Sequence, residues 1–203
     1  MTLQADAHKT RSRLALGSPT GMKIRKESDP DFDEIRRLNE LVFGGPLEGK
    51  IVDALRVRCP EALSLDALDG DRIIGHIFFS AVAIEGMTAT EAMGLGPMSV
   101  HPDFQRKGVG KALVQAGFDS LRKSGCAIVV VLGHPEYYAQ FGFVPASRHG
   151  LRCQWESVPD DVFMVKSLKP HLARIPQGIV RYQKEFETPI KDDGEQGKGA
   201  DGC

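Results

Sequence analysis

The spacing of apolar side chains changes character along this chain, and each change marks a new group of elements. Met22–Glu27 predicts a short strand. Ser28, Asp29 and Pro30 follow, a capping side chain and then a proline, the order in which helices begin. Phe32, Ile35, Leu38 and Leu41/Val42 recur at helical spacing until Gly44-Gly45-Pro46 stops the run. A second helix carries Leu47, Ile51, Ala54 and Leu55 on one face. Strands are predicted over Ala62–Leu68 and Arg72–Ala83, joined by the hairpin signal Asp69-Gly70-Asp71. A turn at Glu85-Gly86 leads to a third strand at about Glu91–Val100.

Beyond Val100 the pattern becomes loop, helix, strand. Gln105–Lys111 opens a helix whose Val109, Leu113, Ala116 and Ser120 form one face, with Ala112 and Leu121 beside it, and Ser124-Gly125 ends it. Cys126–Leu132 is continuously apolar, as strands covered on both faces are. Gly133-His134-Pro135 starts a short helix that ends before Gly142-Phe143. Strands near Phe143–Ala146, Val162–Leu168 and Ile179–Gln183 close the domain. Hairpin strands followed by a strand–helix–strand crossover predict an α/β fold with a mixed sheet.

With 203 residues, 41% hydrophobic and 26% charged, the chain suits one domain with tails, and residues 22–190 carry the core pattern. Residues 1–21 are basic, contain serines and have one acid. The expectation is a disordered extension or sequence ahead of an internal start at Met22, although a transit peptide shares that composition. Residues 191–203, with four Gly and no bulky apolar side chain, are expected to be a disordered tail. A net charge of −1 gives no general attraction to nucleic acid or an anionic membrane, so neither is expected as a partner. No apolar run approaches the ~18 residues of a membrane span, and a cytoplasmic location is expected. Cys59, Cys126, Cys153 and Cys203 form no CxxC or Cys/His cluster, and His76, His134 and His149 are scattered. No metal site is expected, and Cys126 reads as a small buried hydrophobe.

The chemistry concentrates at Gln105-Arg106-Lys107-Gly108-Val109-Gly110-Lys111, a polar loop with two glycines running into a helix. Glycines let successive N–H groups converge on an anion, and a helix start adds unpaired amides and positive partial charge. A Walker A loop is excluded because Gln105 stands where its first glycine belongs and Ala112 where its Ser/Thr belongs. A dinucleotide fingerprint is excluded by Leu113 at its third glycine. The preceding strand contains Gly94, Gly96 and Pro97, which predicts an interruption of the sheet just before the loop. A broken strand offers backbone groups to an extended ligand arm. A diphosphate with a long amide-bearing tail, the shape of coenzyme A, suits both features.

Gln105-x-x-Gly-x-Gly after Met98-Ser99-Val100-His101-Pro102 resembles the acetyl-CoA signature of the GNAT acetyltransferases, and Tyr138-Ala139-Gln140-Phe141-Gly142-Phe143 resembles the family's second signature. Leu132-Gly133-His134-Pro135 and Leu151-Arg152-Cys153-Gln154-Trp155 are similar to the bacterial YhbS-like group of N-acetyltransferases. The resemblance implies a mostly antiparallel mixed sheet flanked by helices, with a splayed parallel strand pair at the CoA site. It implies acetyl-CoA as co-substrate, a small-molecule or peptide amine as acceptor, no metal, and a homodimer as a plausible assembly. Backbone amides of Arg106, Lys107, Gly108, Val109, Gly110 and Lys111 would hold the pyrophosphate. The strand Met98, Ser99, Val100 would pair with the pantetheine arm, and an amide near Met98 would polarise the thioester. Tyr138 would protonate the leaving thiolate, with Tyr137 as its immediate rival.

The usual carboxylate base has no counterpart, since Gly94-Leu95-Gly96 carries no ionisable side chain, and Glu91 and His101 read as a solvated charge and a loop residue. Arg152 and Trp155 are candidates for an acceptor pocket or for ordinary packing. Glu48 reads as a helix-dipole carboxylate or an acceptor contact. A catalytically silent acyl-CoA-binding or sensor module is the alternative to an enzyme. Deleting residues 1–21 and 191–203 should leave melting temperature and CoA affinity nearly unchanged, and a large loss of either would show that a tail packs on the domain.

Overall fold

The computed structural model describes residues 21–169 and 175–187; apart from Gly21, both expected tails lie outside them. In chain order the elements are β1 (Lys23–Lys26), α1 (Phe32–Phe43), α2 (Leu47–Arg58), β2 (Leu63–Asp69), β3 (Arg72–Ala81), β4 (Ala92–Val100) and α3 (Val109–Lys123). There follow β5 (Ile128–Leu132), α4 (Pro135–Ala139), β6 (Val144–Pro145), β7 (Leu151–Cys153), β8 (Phe163–Ser167) and β9 (Gly178–Val180). Seven strands form one sheet in the order β1-β2-β3-β4-β5-β8-β6, and β7 pairs with β9 in a second, small sheet. Within the large sheet only β4 and β5 run parallel. This is the mixed, mostly antiparallel architecture expected. No helix among the described residues is long and apolar enough to cross a membrane.

Three local expectations need correction. The inward face of α3 is Val109, Leu113, Val114, Gly117, Phe118 and Leu121, not a face through Ala116 and Ser120, whose hydroxyl donates back to the Ala116 carbonyl at 2.9 Å. On α2 the core residues are Ile51, Val52 and Leu55, while Leu47 is exposed. Leu151–Cys153, which lies outside the predicted strands, is a strand, and its parallel partner is Gly178–Val180, shorter than the predicted Ile179–Gln183.

Two glycines seat α3 on the sheet. A Cβ on Gly117 would lie 2.5 Å from the Phe79 ring, and one on Gly75 of β3 would lie 2.8 Å from Val109 and 3.0 Å from Leu113. Each missing side chain is a hole filled from the opposite layer, so the position of α3 over β3 is set by steric contact. That contact also aims the helix start.

Under β1–β3 lies a polar cluster within the packed layers. Asp66 on β2 faces His76 on β3, and neither is exposed. His76 sits between the Ser64 hydroxyl at 2.8 Å and the Asn39 amide at 3.3 Å. Arg56 pairs with both Glu27 oxygens at 2.9 Å and lies 4.1 Å over the Phe32 ring. Arg25 pairs with Asp31 at 2.6 and 2.8 Å and stands 3.5 Å from Asp66. Glu27, Asp66 and His76 come close enough together to suit a cation, and the two guanidinium groups already supply positive charge there. Burial pushes the Asp66 carboxyl up to about 7 and holds the His76 imidazole down to about 3.

The seating of α3 has a direct test. Gly117→Val should cost about 1–3 kcal/mol, the usual range for overpacking a filled core, read as a lower urea midpoint. Gly45→Ala, where a Cβ meets nothing within 4 Å, should change the midpoint little.

Candidate functional site

The site begins where β4 and β5 part. Their parallel ladder runs from Ala92↔Ile128 to Leu95↔Val131 and stops. Beyond it β4 continues beside β3 alone. Ile77 faces Met98 and Phe79 faces Leu95, so Gly96 and Pro97 together oppose the single residue Phe78. That is a bulge, and Pro97, joined to Gly96 by a cis peptide, has no N–H to give a neighbouring strand. The interruption expected from Gly94, Gly96 and Pro97 is present. β5 meanwhile turns at Gly133 into α4. The fork between the strands holds a cavity of about 950 Å³.

One end of the cavity is the glycine loop. Arg106 has φ 59° and Gly108 has φ 86°, so left-handed backbone on either side of Lys107 bends the loop into the start of α3. The N–H groups of Val109, Gly110 and Lys111 form the first turn of that helix, where no intrahelical acceptor exists. Gly110 leaves room in the wall: a Cβ there would lie 2.6 Å from the Tyr137 hydroxyl, 3.6 Å from Val100 and 3.8 Å from Met98. Gln105 anchors the loop by donating its amide to the Val100 carbonyl at 3.1 Å.

Met98, Val100, Gln105, Arg106, Gly108, Gly110, Lys111 and Tyr138 all line the cavity. Three residues of the expected set do not. The Ser99 side chain is buried on the other face of β4, Val109 packs into the core, and the Lys107 ammonium lies 5.6 Å over the Phe104 ring. For Ser99 and Val109 a contribution here is confined to the backbone.

Tyr137 and Tyr138 both reach the cavity, and they differ in setting. Tyr137 is half-buried with its hydroxyl against the loop at Gly110. Tyr138 is 7% exposed, packed edge-on against Tyr137 at 5.1 Å and Phe143 at 5.5 Å, and its ring fills the space beside Gly133. Burial raises both phenols, Tyr138 further, so the Tyr138 proton is firmly held at neutral pH.

The other end of the cavity is aromatic. Trp155 stacks on Tyr182 at 5.3 Å and 25°, and Tyr182 meets Phe186 edge-on at 5.7 Å. Trp155 lines the cavity; Arg152 is exposed on β7 and does not. Glu91 is held by Thr88 through two bonds, and His101 sits beside Arg72 at 2.8 Å; neither reaches the cavity. Glu48, from the first turn of α2, does line it. Sequence reasoning missed Tyr182, Phe186 and Phe43. Their lone aromatic character carries no signal, because the contacts that select them are made across distant segments.

Comparison with known proteins agrees with this geometry. Residues 23–146 match the acetyltransferase (GNAT) domain family. The chain is 34% identical over 166 residues to the uncharacterized N-acetyltransferase YhbS of Escherichia coli, covering 81% of this chain and 98% of that protein. The crystal structure of Escherichia coli YhbS in complex with CoA superposes with a TM-score of 0.76 at 33% identity, covering 82% of this chain and 92% of that one. A GNAT family acetyltransferase from Brucella melitensis in complex with acetyl-CoA superposes with a TM-score of 0.66 at 37% identity, covering 81% and 97%.

The loop end generates a test. An acid in a helix's first turn is compatible with folding, since it complements the helix dipole. Gly110→Asp should therefore keep a native circular-dichroism spectrum and abolish CoA binding by calorimetry, whereas Gly110→Ala, adding bulk without charge, should weaken it less. Tight CoA binding by Gly110→Asp would move the phosphate site elsewhere.

Proposed function

The chain belongs to the GNAT acetyltransferase family, and from that premise we propose that it transfers the acetyl group of acetyl-CoA to a primary amine by direct attack on the thioester. The observation that carries this reading is the fork. One cavity joins a stretch of β4 whose edge toward β5 is unpaired, a glycine-rich helix start and a buried tyrosine. A diphosphate suits the loop's first-turn amides, aided by Arg106 and Lys111, and an extended amide arm suits the open edge of β4 at Met98 and Val100. The relatives solved with CoA and acetyl-CoA support the same assignment.

In this mechanism the amine nitrogen attacks the thioester carbonyl, and a strand amide near Met98 stabilises the charge on oxygen. The carbon–nitrogen bond forms, the carbon–sulfur bond breaks, the amine's proton leaves to solvent, and Tyr138 donates its hydroxyl proton to the departing sulfur. Solvent then reprotonates Tyr138. Burial keeps the Tyr138 phenol protonated at neutral pH and works against its ionisation, so the role rests on its place in the cavity. A covalent acyl-cysteine is disfavoured. Cys59, Cys126 and Cys153 lie off the cavity, and burial pushes their thiols up, Cys126 to about 11.

Tyr138→Phe should lower kcat about 10²–10⁴-fold with acetyl-CoA affinity nearly unchanged. Tyr137→Phe, whose hydroxyl faces the loop, should leave kcat nearly intact. An exchange of these two phenotypes would make Tyr137 the acid; normal turnover by both would mean that another group protonates the sulfur. A silent acyl-CoA-binding module would instead bind acetyl-CoA and acetylate no amine.

A further inference from the structure

The cavity has a direction, and β4 is its axis. The loop end faces Val100 and Met98 through Gly110, whereas a Cβ on Gly94 would lie 2.8 Å from the Tyr182 ring. Six strand positions, about 20 Å of chain, separate Val100 from Gly94. The cationic side chains on the lining, Arg106 and Lys111, belong to the loop end, which leaves the Tyr182 end for a second substrate.

That far wall is aromatic. Trp155 and Tyr182 stack, Phe186 stands edge-on to Tyr182, and Phe186 packs into the same cluster as Ile51 of α2. Glu48 is three residues before Ile51 and therefore on the same side of the helix. Both line the cavity, and Glu48 is the one carboxylate among the described residues that does so. Among the described residues it has no hydrogen-bond or ion-pair partner.

We infer that the acceptor is a small monocationic amine that docks as an ammonium paired with Glu48, loses a proton to solvent before its nitrogen attacks, and lays its aromatic or apolar body against Trp155, Tyr182 and Phe186. This deepens the transferase reading and depends on it for the reaction, though not for binding. One carboxylate among aromatic faces holds one ammonium, by charge pairing and by attraction of a cation to ring faces. A polyamine or aminoglycoside would bring further ammonium groups against the rings with no second carboxylate among the described lining residues to meet them, and unpaired charges taken out of water are costly. An acidic acceptor would meet Glu48 with like charge. The class that fits is an arylalkylamine: a primary amine on a short alkyl link from a ring.

The experiment uses the full chain. Phenethylamine, tryptamine and spermidine are titrated calorimetrically into protein saturated with CoA, and their acetylation from acetyl-CoA is measured. The aryl amines should bind, and should exceed spermidine in kcat/KM by about tenfold or more. Glu48→Gln should raise the KM and Kd of the aryl amines about ten- to a hundredfold, the usual worth of a charged hydrogen bond, while the Kd of acetyl-CoA stays put. Spermidine matching or surpassing the aryl amines, or Glu48→Gln leaving their Kd unchanged, overturns the inference. Glu48-dependent binding of phenethylamine with no acetylation of any amine would uphold the pocket and defeat the transferase reading alone.

Discussion

Everything at this site follows from the failure of one parallel ladder. β4 and β5 pair for four residues and separate after Leu95 and Val131, because the bulge at Gly96 and Pro97 turns β4 and removes a donor. A sheet that closed there would leave no cavity and no free strand edge. With the strands apart, each leads to one side of the site: β4 runs on to the glycine loop and α3, and β5 turns through Gly133 into α4 and its tyrosines. A polar ligand can replace the missing strand because strand backbone is an obligatory hydrogen-bonding surface.

The remaining requirement is that these pieces hold still. Much of that is done by rings occupying positions where side chains are missing. Phe79 fills the place opposite Gly117, Tyr182 that of Gly94, and Tyr138 that of Gly133. Such contacts are stiff, since aromatic side chains have few rotamers and cores are packed near crystal density. Two of the three rings line the cavity, so the packing that fixes the framework also shapes the site.

Much of this was legible in the sequence. The helices, the hairpin, the apolar fifth strand and the glycine loop follow from periodicity and from residues with narrow backbone roles. The misreadings share a cause. Gly117 counts as neutral in a hydrophobic pattern, yet it lies against the Phe79 ring of the sheet, so the pattern alone places the helix face one step round from its true position. Leu151–Cys153 is too short for alternation to identify, and its partner lies beyond Pro170. Leu47 has core chemistry and helical spacing, but it stands exposed at the corner where α1 and α2 overhang the cavity. Trp155, Tyr182, Phe186 and Glu48 come together only through tertiary contacts, which no local pattern encodes.

The buried pair at the opposite end of the sheet bears on how the protein responds to acidity. Asp66 and His76 face each other across β2 and β3. Unfolded, they titrate near 3.8 and 6.5; folded, near 7 and 3. A carboxyl raised by folding makes stability fall as pH climbs between its two values, and an imidazole lowered by folding makes it rise. Between about pH 4 and 6.5 the two slopes oppose and nearly cancel. Across that span the unfolded chain carries one proton on His76 and the folded chain carries it on Asp66. Folding hands a proton from one strand to its neighbour and exchanges none with the solvent at this pair.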